Sequence, residues 1–190
     1  MRDAEAFFIK QDATHSTLER LAARLDEEGI PYVLAGGMAL GLHGYERVTR
    51  DVAILLTPGG LAAFEERCAG RGYVPKFPGA RRAYLDAQTR VPVEILCTGE
   101  FPGDGKPKPV SFPDPATAGT VLDGIKVIAL EKLIDLKLAS GLTAPHRLRD
   151  LADVQDLIGV LSLSREFGAS LDASVRGEYE RLWDAARQAP

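Results

Sequence analysis

Residues 32–56 read YVLAGGMALGLHGYERVTRDVAILL, and the order of their parts decides the fold. YVLA follows Pro31 as a short apolar run suited to a buried strand. Gly36 and Gly37 come next, MALGLHG makes a short helix that stops at Gly44, and Asp51 opens a second apolar strand, DVAILL. Glycines at a strand-to-helix junction let the backbone approach a phosphate, and a helix start offers unpaired N–H donors at a positive dipole end. Most glycine pairs only make a turn, so this pair alone names no ligand. Positions 51 and 53 leave the same face of a strand. A carboxylate at each would grip a divalent metal from one side, and here the two residues are Asp51 and Ala53.

Outward from this stretch, Leu18, Leu21, Ala22 and Leu25 recur at helical spacing. They predict a helix over residues 14–29, capped by Thr14 or Ser16 and ended by Gly29. Thr57-Pro58 reads as the cap and first turn of a helix reaching about Arg71, with Leu61, Phe64 and Cys68 on one face. Short strand-like segments follow at 73–75, 82–85 and 91–97. The glycine- and proline-rich stretch between Gly99 and Gly119 predicts a long, partly extended connection. Asp123-Gly124 between apolar residues is a hairpin signal. From Ala129 the pattern is helical, ending in two short helices near Arg187. The expected architecture is α/β of the α+β kind, a mixed sheet flanked by helices over 1–128 with a helical bundle over 129–190 packed on it.

Composition narrows the function classes. With 190 residues and 45% hydrophobic content, the chain has enough apolar surface to build a core without disulfides or metals. A net charge of -4 argues against wholesale electrostatic binding of nucleic acid, though not against a local basic pocket. No run approaches the ~18 apolar residues of a membrane span. The start, MRDAEAFFIKQD, lacks the basic-then-apolar order of a secretion signal, which sets the expectation of a cytoplasmic protein without membrane partners. Cys68 and Cys97 lack partner spacing and read as reduced thiols, and His15, His43 and His146 are too scattered for a zinc site.

Glu94, in VPVEILC, interrupts an otherwise apolar strand. A charge so placed must be solvated, paired or metal-bound. Read alone, it faces either solvent or a site shared with Asp51. Lys137, in LIDLKLAS, reads alone as a solvated helix lysine. Asp150, between Arg147 and Arg149, is equally a structural salt-bridge residue or a site residue. Arg47 and Arg50 flank the Asp51 strand, where they bind phosphate or face water.

Together these pieces resemble the nucleotidyltransferase superfamily of polymerase-beta-like fold, and more closely the small bacterial nucleotidyltransferases related to abortive-infection type toxins. The shared pattern is a glycine-rich turn, an arginine, a threonine and two aspartates one residue apart. It appears here as Gly36-Gly37, Arg47, Thr49 and Asp51, and LEKLIDLKLASG and RLRDLADVQDL look like that family's later helices. The departure is Ala53, where the family has its second aspartate.

The resemblance implies attack of an acceptor hydroxyl on the α-phosphate of a nucleoside triphosphate, assisted by Mg2+ or Mn2+. It assigns Asp51 as a metal ligand and Glu94 as the third, base-like carboxylate. Gly36, Gly37, Thr49 and Arg47 are assigned to the nucleotide, Lys137 to the β- and γ-phosphates, and Asp150 to the catalytic set. The acceptor is left open among a small molecule, a tRNA and a protein. Ala53 weakens or abolishes turnover under that mapping. The alternative is a non-catalytic module for a nucleotide or a protein partner, one half of a toxin–antitoxin pair or a homodimer.

Overall fold

The computed structural model describes residues 2–188. Seven strands form one mixed sheet in the order β3-β4-β5-β2-β1-β7-β6. They are β1 (Val33–Ala35), β2 (Val52–Leu56), β3 (Tyr73–Pro75), β4 (Ala83–Asp86), β5 (Pro92–Cys97), β6 (Gly119–Leu122) and β7 (Ile125–Ile128). The helices are α1 (Arg2–Glu27), α2 (Gly36–Leu42), α3 (Pro58–Arg67), α4 (Leu130–Thr143), α5 (Leu148–Val160) and α6 (Ala173–Gln188). Among the described residues, no helix is long and apolar enough to cross a membrane.

β1 runs antiparallel to β2, and β2 runs parallel to β5. β2 is buried along its whole length, as a central strand covered on both faces must be. Its alternation sends Val52, Ile54 and Leu56 to one face and Ala53 and Leu55 to the other. Leu56 meets α3 at Gly60. Phe64 of α3 packs on Tyr73 and Tyr84, with ring centroids 5.5 and 5.1 Å apart, and so ties that helix to β3 and β4. The core is continuous: buried residues of α4, α5 and α6, including Leu138, Leu157 and Tyr179, join those of the sheet.

Several local expectations are met. Thr57 Oγ1 accepts from the Gly60 N–H at 3.0 Å, capping α3 behind Pro58. Asp123 and Gly124 both take positive φ, 50° and 78°, which suits a two-residue turn between antiparallel β6 and β7. Two boundaries differ. α1 starts at Arg2, so Thr14 and Ser16 are interior residues and not caps. Residues 2–13 contain neither glycine nor proline to stop the helix, and propagating an existing helix is cheaper than starting one. α3 stops at Arg67, ahead of Arg71, and α6 is a full helix of 16 residues where a short one was expected.

α4 and α5 are tightly packed at Gly141, where an added Cβ would lie 2.5 Å from Leu151 Cγ. Glycine inside an exposed helix normally costs about 1 kcal/mol against alanine. Here Gly141→Ala is expected to destabilise instead, by about 1–3 kcal/mol through overpacking. Chemical denaturation of the two proteins measures the sign directly.

Candidate functional site

The face of the sheet carrying Ala53 opens into a cleft of about 310 Å³. Its lining brings together Gly36 and Gly37, Arg47, Asp51, Glu94, Lys137 and Asp150. Ala35, Ala53 and Glu94 sit side by side, because β1 pairs Ala35 with Ala53 and β5 pairs Glu94 with Ala53. Asp51 lies two residues before Ala53 and leaves the same face. Leu133, Leu136, Lys137 and Ser140 of α4 form the opposite wall. Of the candidate phosphate and metal residues singled out from sequence, Thr49 and Arg50 are not part of this lining; Thr49 borders a neighbouring cavity that shares Gly37 and Arg47, and Arg50 is exposed.

The glycine pair has a specific physical reason at each position. Gly36 takes φ 65°, a conformation side chains disfavour. At Gly37 a Cβ would fall 2.6 Å from Thr49 Oγ1 and 3.2 Å from Arg47 Nη2. The spacing of glycine pair, arginine and threonine is therefore a packing unit, in which the segment before β2 folds back onto the α2 turn.

Glu94 keeps a solvent-facing surface inside the cleft. Partial burial raises its pKa first, and the negative charge of Asp51 raises it further against the opposing charges of Arg147 and Lys76. The two acids therefore sense one another. Among the described residues there is no group of three or more histidine, cysteine or acidic side chains able to hold a metal. The residues present fit one Mg2+ or Mn2+ ion that also takes phosphate oxygens and water, since Mg2+ is commonly held by one or two carboxylates plus substrate phosphates. They do not fit a pair of ions, because Ala53, which lies beside Glu94 and shares a face with Asp51, offers no oxygen.

Across the cleft lies a charge network. Lys137 is 6% exposed, and its Nζ donates to Asp150 Oδ1 at 3.0 Å and Asp153 Oδ2 at 2.7 Å. Lys137 is thus neither solvated nor free. Asp150 Oδ2 accepts from Ser140 Oγ at 2.7 Å and Arg147 Nε at 2.9 Å. Burial pushes the Asp150 pKa upward, but the Lys137 charge, the Ser140 hydroxyl and the Arg147 charge outweigh it and leave it below the usual range. Arg47 Nη2 donates to Asp153 Oδ2 at 3.2 Å, and Nε lies 2.9 Å from Oδ1 without hydrogen-bond alignment. His43 Nε2 instead meets the Ile128 carbonyl at 2.8 Å, a packing role at the end of α2.

Asp153 and Ser140 were not singled out from sequence. Asp153 follows Asp150 by three residues, so both lie on one face of α5, and that spacing was the available signal. The 99–118 connection also contributes. Pro102, Gly103 and Phe112 line the cleft, and a Cβ at Gly103 would sit 2.8 Å from the Ser140 carbonyl oxygen.

No protein-family model matches the chain, and no curated protein sequence matches it. Solved structures do. An antigenic nucleotidyltransferase-like protein from Paracoccidioides brasiliensis is 18% identical, with a TM-score of 0.58 over 94% of both chains. A protein from H. pylori described as a candidate nucleotidyltransferase is 17% identical, with a TM-score of 0.50 over 94% of both chains. At such identity the likeness shows the fold alone: the chain shares the fold of these nucleotidyltransferase-like structures.

Proposed function

We propose that the chain binds a nucleoside triphosphate in the cleft between the glycine turn and α4, as a nucleotidyltransferase whose turnover is curtailed at Ala53. One observation carries the reading. Three segments far apart in sequence deliver a glycine turn, two acids and two cations to a single cleft. Gly36 and Gly37 bring the turn at the start of α2 to the cleft wall, while Arg47 and Lys137 meet the negative charge of the phosphates. Asp51 and Glu94 would hold one Mg2+ or Mn2+ ion, which when bound supplies Lewis-acid polarisation of a phosphate. Glu94 faces the same space and would accept the proton of an acceptor hydroxyl. Asp150 orients Lys137 through its direct ion pair. Leu96, Phe112, Leu133 and Leu136 add an apolar portion to the cleft, suited to a base or to the non-polar face of an acceptor.

A second reading is favoured by Ala53 itself: a nucleotide-binding module without turnover. Calorimetry with the four common nucleoside triphosphates and Mg2+, beside an assay of pyrophosphate release, separates the two. Binding of at least one triphosphate is expected, weakened about tenfold or more in Asp51→Asn. Turnover by the wild type selects the enzyme, and binding without it selects the module. Failure of all four to bind removes both.

A further inference from the structure

We infer that Asp153, which the cleft does not expose, is a positioning residue that fixes Arg47 beside Lys137 for a triphosphate. This rests on the triphosphate reading above and adds how one of the cleft's cations is held in place. Asp153 is 2% exposed and sits behind the two cations. Its Oδ2 accepts from Lys137 at 2.7 Å and Arg47 at 3.2 Å, and its Oδ1 lies 2.9 Å from Arg47 Nε. Arg47 and Lys137 both line the cleft. One buried carboxylate therefore spans the loop before β2 and the middle of α4, segments that share no strand or helix.

Lysine and arginine are long side chains that lose much rotamer freedom when ordered. A buried carboxylate that orders them in advance removes that cost from ligand binding. Asp150 adds a second grip on Lys137, so Lys137 is held without Asp153. For Arg47, Asp153 is the carboxylate it contacts. Arg47 is the cation whose position depends on Asp153.

The same loop is bonded to α5 once more and lies against the residue that follows it. Tyr45 donates to Asp156 Oδ2 at 2.5 Å, and a Cβ on Gly44 would lie 3.2 Å from Leu161. The loop thus runs alongside α5, with residues 44, 45 and 47 beside 161, 156 and 153. This placement keeps Arg47 near its carboxylate and makes Asp153 the contact closest to the cleft.

The test is a double-mutant cycle on Mg2+–triphosphate affinity in the full chain. Asp153→Asn is expected to weaken binding by roughly tenfold. In an Arg47→Ala background it is expected to cost no more than about a further twofold. A purely structural role would lower melting temperature and weaken binding by the same factor in both backgrounds, which overturns the inference. Tighter binding by Asp153→Asn would show that the carboxylate competes with the ligand, and overturns it equally. Should Asp153→Asn fail to fold, guanidinium nitrogen NMR of the ligand-free wild type decides. Hindered rotation of the Arg47 guanidinium, assigned by its loss in Arg47→Lys, is expected, and free averaging refutes the inference. A wild type that binds no triphosphate removes the parent reading and this one together; additive losses or free averaging in a wild type that binds remove this one alone.

Discussion

Ala53→Asp is expected to raise pyrophosphate release by about a hundredfold or more over the wild type, with Mg2+ required. Single electrostatic groups at such sites are commonly worth factors of about 10²–10³. Position 53 is where one carboxylate has the most to gain. It pairs with Glu94 across β5, shares a face with Asp51, and lines the cleft. Gly36 leaves room beside it, since Ala53 Cβ is the nearest atom that a Gly36 Cβ would meet, at 3.0 Å. The gain carries a stability cost. Burial and Asp51 already hold the Glu94 pKa above its ordinary value, so the folded chain binds more proton than the unfolded one between those two pKa values. Stability from this group is therefore greatest below the ordinary carboxylate range and declines as pH rises through the raised value. A third acid steepens that decline, and Mg2+ should reverse it. Thermal melts of both proteins across pH, with and without Mg2+, measure this. An Ala53→Asp protein with no added turnover and no Mg2+-dependent rise in melting temperature would sink the assignment of Asp51 and Glu94 as metal ligands.

Lys137→Met is expected to cost about 3–5 kcal/mol at neutral pH, the usual penalty for removing one partner of a buried ion pair. The lysine side chain is enclosed, and its ammonium faces two carboxylates at 3.0 and 2.7 Å. Methionine fills similar volume, so the loss reads electrostatics and not a cavity. The pH profile carries the signature. In the wild type, the Asp150 pKa lies below its ordinary value, so its stabilisation is present above the ordinary carboxylate range and lost as pH falls through the depressed value. Without Lys137 the largest charge opposing burial is gone, so that pKa moves upward from its wild-type position. The deficit should then be largest near neutrality and shrink as the solution is acidified. A variant that melts within about 1 kcal/mol of the wild type at neutral pH would contradict the paired-lysine account.

The strand–turn–helix–strand order was readable because each signal is local. Alternation, a glycine pair and an Asp-Gly turn act within a few residues, and the structure places β1, α2, β2 and the β6–β7 hairpin where those signals lie. The charge network was not readable to the same depth. Lys137 reads as a surface lysine because local sequence does not reveal what covers it. Only the packing of α4 against α5, with Gly141 against Leu151, sets its ammonium beside Asp150 and Asp153. Arg47 lies more distant still, joined to Asp153 across 106 positions of chain. The start of α1 was missed for a different reason: Thr14 and Ser16 are good caps, yet an interior threonine or serine is tolerated once a helix is already running.

The 99–118 connection crosses the cleft without joining the sheet ladder. Gly99 and Glu100 bond to Phe112, Lys108 reaches back to the Pro102 carbonyl at 2.6 Å, and Gly103 rests on α4. One wall of the cleft is therefore a self-braced arch. Such an arch tolerates lengthening or shortening without shifting strand register. Changes of length in this span can therefore reshape the mouth of the cleft while the sheet behind it stays as it was.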